Sequence, residues 1–194
     1  MAIQPSSGYP VTYLLDAPPS LSRWLWIFKS LLLIPHWIIL WVLGFVSCFV
    51  LFFMWIAILI SGKRPRGMFD FMLGINRWSM RVNAYSSHLT DKYPPFSMDD
   101  ADDYPMRLTA EFDPRANRLT AFFRWILVIP HWIIVGVLGF VSSVVTFIHV
   151  IYVIIFGKPH AELFNLLVGI NRWTARETLY SLLVTDQYPP FSLD

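Results

Sequence analysis

The chain has 194 residues, of which 56% are hydrophobic and only 14% charged, with 9 Trp, 8 Tyr and 16 Phe. That composition leaves too much apolar surface for an ordinary water-soluble domain and points to a lipid bilayer as solvent. A formal charge of +2 excludes the basic footprint of a nucleic-acid binder, and the single cysteine, Cys48, excludes an intramolecular disulfide or a cysteine metal cluster.

The first 22 residues carry one charge, Asp16, and neither a basic segment nor a small-residue cleavage site, so the first apolar run is expected to stay in the mature protein. Tyr9 to Asp16 alternates Val11, Tyr13 and Leu15 on one side, which predicts a short strand. The apolar run 24–60 follows. It is too long for one spanning helix and just short of two comfortable ones. Two readings fit. In one, the run is a helical hairpin that turns near Gly44-Phe45-Val46-Ser47. In the other, residues up to Leu33 lie at the interface, Pro35 breaks direction and a single span runs from His36 to Ile60. Basic residues flank both ends, Arg23 and Lys29 before and Lys63, Arg64 and Arg66 after, which favours the hairpin with both ends on the cytoplasmic side.

An amphipathic helix is predicted over 67–90. Phe71, Ile75, Trp78, Val82, Tyr85 and Leu89 recur at spacings of three and four, with Asp70, Arg77, Arg81 and His88 opposite. Its Trp and Tyr face a membrane interface or a neighbouring protein. Thr90-Asp91 then leads into Tyr-Pro-Pro-Phe-Ser, where two prolines end the helix and favour an extended segment. An acidic linker, 100–103, closes this first unit, residues 1–99.

Residues 104–194 state the same unit again at a constant offset of 95. Aligning Ile34 to Asp99 with Ile129 to Asp194 gives 35 identities in 66 positions, in the blocks IPHWII, VLGFVS, GK, GINRW, TD and YPPFS. The second copy predicts a strand near Met106, Leu108 and Ala110, an apolar run over 119–155 with its turn near Gly139 to Ser142, and an amphipathic helix over 162–184. A fixed period means one supersecondary unit used twice. The expected fold is therefore an all-α membrane protein of two tandem repeats, each a hydrophobic helical hairpin plus an interfacial amphipathic helix, with a short strand ahead of each.

The motifs IPHWII, GK(R)P, GINRW and TDxYPPFS, separated and recurring in order, resemble a family of bacterial membrane domains of unknown function often found in tandem copies. The resemblance covers nearly the whole chain and implies a multi-pass protein of the bacterial plasma membrane. It brings no activity, substrate or cofactor. The copies differ where Arg64-Pro65-Arg66 becomes Pro159-His160-Ala161 and where Val82 becomes Glu177.

His36 and His131 occupy equivalent places beside proline. Two-fold pairing could bring both imidazoles to one haem iron or to a proton path, against the simpler role of packing or anchoring at the interface. His149 stands alone where the first copy has Met54, and a structural bond to backbone or a neighbouring helix is expected. Arg77, Arg81, Arg172 and Arg176 are expected to offer guanidinium forks to lipid headgroups, with ion pairing of Arg77 or Arg172 to Asp91 or Asp186 the alternative. Glu177, on an apolar face, must meet a group from the other repeat or from a partner subunit, or rotate to reach water.

No phosphate loop, zinc-protease motif, nucleophile elbow or pair of membrane carboxylates is present, so no catalytic or metal site is expected. The sequence favours a non-enzymatic scaffold or accessory subunit of a larger membrane assembly, its partners being lipids and other membrane subunits or itself. A membrane-shaping hairpin protein and a haem-binding or redox subunit are the alternatives. No cofactor is otherwise expected.

Overall fold

The computed structural model describes residues 8–194; the expectation of an uncleaved start falls partly on residues 1–7, outside them. The chain is mostly helical. Strand β1 (Val11–Leu15) precedes helices α1 (Trp26–Ser61) and α2 (Arg66–Ser86), and strand β2 (Met106–Ala110) precedes α3 (Arg118–Leu127), α4 (Ile129–Phe156) and α5 (Ala161–Ser181).

The expected strands form and pair with each other antiparallel. Tyr13 faces Leu108 at the centre of the ladder, with Val11 opposite Ala110 and Leu15 opposite Met106. Leu108 is the residue 95 positions after Tyr13, so exchanging the two halves maps the ladder onto itself. Val11, Tyr13, Leu15, Met106 and Leu108 are all buried, as their alternation requires. A lone two-stranded ladder is marginal in water; this one is covered on one face by helices, with β1 packed on α5 and β2 packed on α2.

The expected hairpin turn is absent. Helix α1 runs unbroken through Gly44 to Ser47, and α4 runs unbroken through Gly139 to Ser142. The physical reason is local. One glycine costs a helix about 1 kcal/mol, and nearby polar side chains are absorbed by the helix itself: the Ser47 hydroxyl donates to the Leu43 carbonyl at 2.8 Å and Ser143 to that of Gly139 at 2.9 Å. Proline coincides with a break in one half only. Pro35 lies inside α1, whereas in the second half the helix breaks at Val128 and Pro130 sits in the first turn of α4. Each long helix ends at a glycine in the left-handed region, Gly62 at φ 68° and Gly157 at φ 69°.

Three layers result. Helices α1 and α4 each bury one narrow stripe, Lys29, Leu33, His36, Met54 and Ile58 in the first and His131, Val145, His149 and Val153 in the second. Helices α2 and α5 form the middle layer. One face of α2 sets Trp78, Val82 and Tyr85 against Leu33 of α1, while Phe69, Met72, Leu73 and Met80 join the strand residues in the main core. The ladder covers the far side. The amphipathic helices therefore fall close to their expected bounds but do not lie on a surface, because the strands cover the face that sequence periodicity marks as polar.

The long helices lie side by side in opposite directions. At one end Leu21 donates to the Gly157 carbonyl and Arg23 lies over Gly157; at the other Ala116 donates to the Gly62 carbonyl and Arg118 reaches the Ile60 carbonyl. Their outward surfaces carry exposed Ile38, Trp41, Phe45, Phe49, Phe52, Trp132, Phe140 and Phe147.

Candidate functional site

The shared motifs meet at one place in each half. His36 accepts a hydrogen bond at Nδ1 from the Trp78 indole N–H at 2.8 Å, and His131 accepts one from Trp173 at 3.2 Å. The His36 ring stacks on Phe96 with centroids 3.9 Å apart and planes 9° apart, and Tyr93 leans against it at 5.1 Å. Phe191 and Tyr188 repeat this around His131 at 4.4 and 4.8 Å. The histidine of IPHW, the tryptophan of GINRW and the aromatics of YPPFS are thus the walls of one aromatic box. Both histidines are fully buried.

This geometry does not bring the histidines to one iron. Each ring is enclosed by residues of its own half, Trp78, Tyr93 and Phe96 about His36 and Trp173, Tyr188 and Phe191 about His131. Each neutral ring accepts at Nδ1 and so carries its proton on Nε2, leaving no lone pair there for a metal. Among the described residues no group of three His, Cys, Asp or Glu side chains could hold a metal ion. His149 is also fully buried, in the stripe of α4.

The closing segments are held by arginine. Arg81 donates to the carbonyls of Ser97 and Asp99, and Arg176 to those of Ser192 and Asp194. Arg77 donates to the Leu108 carbonyl at 2.8 Å, while Arg172 donates to those of Tyr13 and Leu193. Arg81, Arg172 and Arg176 are buried, and burial pulls all three guanidinium groups below their ordinary range. Four arginines expected at headgroups are therefore engaged with main-chain carbonyls that the proline-rich segments and strands leave free. Glycine permits the close approach. A Cβ on Gly74 would stand 2.8 Å from Met98 Cβ, and one on Gly169 would stand 3.0 Å from Leu193 Cβ.

The TD motif takes different partners from those expected. Asp91 pairs with Lys29 at 2.9 Å, and Lys29 also donates to the Thr90 carbonyl. Asp186 pairs with Arg124 at 2.6 Å and with Arg64 at 3.1 Å. The same carboxylates hold the chain that enters the first helix of their own half, α1 or α3, accepting from the main-chain N–H of Ser22 and of Asn117. Sequence reasoning missed Lys29 and Arg124 as partners. Their equivalent positions inside apolar runs, at the same distance before PHW, were the available signal.

Glu177 is buried where the first half has Val82. It meets neither the other half nor a cation: the Ser181 hydroxyl, one turn on, donates to Oε1 at 2.5 Å, and Thr178 to Oε2 at 3.4 Å. A second asymmetry is His88, held at φ 58° where the second half has Leu183 at φ 61°. Burial, then the nearby Lys29 ammonium, lowers the His88 pKa to about 4.

Two open clefts flank these groups. An apolar one of about 410 Å3 lies between α1 and the α3–α4 junction, lined by Trp55, Trp125 and Trp132 with Arg124 and Ser181 also on its wall. A polar one of about 510 Å3 is lined by Asn83, Ser87, Ser142, Thr146, Asn171 and Thr174. In the second, Asn83 donates to Asn171 at 2.9 Å, joining α2 to α5.

The motif residues thus do the packing that recurs in both halves, and one family model matches the chain in two segments, residues 11–98 and 118–192. The chain belongs to the DUF4389 family, a domain of unknown function. The two matched segments leave out β2, the strand that in this DUF4389 chain packs on α2 of the first half. No curated protein and no solved structure matches it.

Proposed function

We propose that this chain is a non-enzymatic integral protein of a bacterial plasma membrane, serving as a scaffold or accessory subunit of a larger membrane assembly. One observation carries the reading. Helices α1 and α4 have mean hydropathies of 2.7 and 2.3 in their most apolar windows, yet only 11% of each window is buried within the chain. A core helix of a soluble domain would be covered; these are not. Such an area of exposed Trp, Phe and Ile is stable only against lipid tails or another apolar surface. The scaffold role is supported by the use of the polar side chains: the histidines, arginines and aspartates of the shared motifs are engaged in holding the fold. Exposed polar side chains remain for partners in the acidic linker, where Asp100, Asp102 and Asp103 face outward, and at the ends of the long helices.

Membrane extraction tests the first part. The protein is expected to stay with the membrane through high salt and alkaline carbonate and to leave it only in detergent; release by carbonate alone would refute it. Size measurement in mild detergent tests the second, which expects unlike subunits to travel with the chain.

A further inference from the structure

We propose that the protein does not cross the bilayer but lies on one side of it, with α1 and α4 flat in a single leaflet rich in anionic headgroups. The inference rests on the membrane reading above and specifies the surface that is bound.

Helix α1 presses its buried stripe on α2 and α4 presses its own on α5, and the start of each long-helix segment is bonded to the end of the other, so the exposed apolar faces of both lie away from the middle layer. Helix α1, with 36 residues, is about 54 Å long, well beyond the thickness of about 30 Å of a hydrocarbon core. Helix α2 packs against α1 with Trp78 on His36 and Tyr85 on Lys29, running back along it, and its 21 residues span about 31 Å. If α1 stood across the membrane, α2 and the ladder would stand beside it through the full depth of the core. That would set exposed Asp70, Asp99, Asp102 and Arg107 among acyl chains, where each ionised group is strongly disfavoured.

Laying the layer flat removes the conflict. The apolar helices enter the leaflet, the middle layer stays above them and the acidic linker faces water. The basic residues then fall into place. Exposed Arg23 and Lys158 lie together at one end of the helix pair, and exposed Lys63, Arg115 and Arg118 at the other. In the flat seating both groups reach the headgroups of the same leaflet, whose negative charge they complement. In a crossing arrangement they would lie on opposite faces of the membrane. The basic residues at both ends of each apolar run, read from the sequence as marks of a hairpin, are equally satisfied by a helix lying down.

Single-cysteine proteins decide between the arrangements. In a Cys48→Ser background, Lys63→Cys and Lys158→Cys replace exposed side chains that make no hydrogen bond to the rest of the chain, so folding is preserved. Sealed vesicles of phosphatidylcholine and phosphatidylglycerol, with the protein in one orientation, are treated with an impermeant maleimide from outside and then from both sides. The flat seating expects both cysteines to label from the same side to the same extent. Labelling from opposite sides, or labelling of either one only after detergent, overturns it. A chain that floats free of these vesicles as a soluble dimer shows instead that a second copy covers the apolar face, and in that case the membrane reading falls as well.

Discussion

Trp78 and His36, 42 residues apart, are joined by an indole N–H donated to Nδ1 at 2.8 Å, and the same bond joins Trp173 to His131. The bond selects the histidine tautomer and fixes the angle at which α2 meets α1. Removing the donor leaves a buried acceptor unmet, at a cost of about 1–3 kcal/mol. Trp78→Phe is therefore expected to lower the melting temperature in detergent by several degrees, at about 2–4 °C for each kcal/mol in a chain of this size. Trp173→Phe, whose bond is longer, is expected to cost less. Thermal unfolding followed by circular dichroism checks both.

Glycine substitutions have opposite expected signs at two positions within helices. Gly44 has no atom within 4 Å of a built Cβ, whereas Gly74 meets Met98 at 2.8 Å. Gly44→Ala should stabilise by up to about 1 kcal/mol through helix propensity. Gly74→Ala should destabilise by about 1–3 kcal/mol through overpacking and lift the segment after Tyr93 from its helix. Limited proteolysis between residues 90 and 104 reads the displacement, with the wild type resistant and Gly74→Ala cut.

The pH dependence of stability has a contribution from His88. Its ordinary value of 6.5 falls to about 4 in the folded chain, so the unfolded chain binds the proton more readily. The contribution is complete above pH 6.5 and is lost as pH falls toward 4. His88→Asn, which tolerates the left-handed conformation, should give a melting temperature that declines less steeply than wild type between pH 6.5 and 4. Parallel curves would show that His88 does not titrate in that window.

Glu177 and Val82 occupy equivalent positions with different neighbours. Glu177→Val removes a buried carboxylate whose partners are two hydroxyls of its own helix, and the expected outcome is unchanged or raised stability. Val82→Glu puts a carboxylate against Leu33, Trp78 and Tyr85, while Ser86, the counterpart of Ser181 one turn on, is engaged with the Asn83 carbonyl, and Asn83 stands where the second half has Thr178. A loss of about 2 kcal/mol or more is expected. Denaturation of the two variants side by side checks the contrast; equal losses would refute it.

The strands were legible because Val11, Tyr13 and Leu15 alternate, and the middle helices because their apolar residues keep a helical period. What periodicity could not reveal is that the polar stripe of α2 would be covered. Arg77 and Arg81 read as solvent-facing until β2, supplied by the other half, and the segment through Asp99 close over them. The hairpin failed for a related reason: a glycine and two small polar residues look like a turn when isolated, but a long helix absorbs them at small cost. One signal for the histidine box was present in the sequence. Histidine to tryptophan to phenylalanine has the same spacing in both copies, from His36 to Trp78 to Phe96 and from His131 to Trp173 to Phe191, although spacing alone does not say that three residues touch.

The exchange of strands has a consequence for how the chain can be cut. Since β1 rests on α5 and β2 on α2, neither half closes its own core, and each supplies the lid of the other. Two copies of one half embracing as a dimer would exchange strands in the same way. The joint, 100–103, adds only local contacts of its own, Ala101 against the core and Asp103 with Lys92. Severed there, the two fragments should find each other when made together, while either half made alone lacks its lid and is driven to pair with itself.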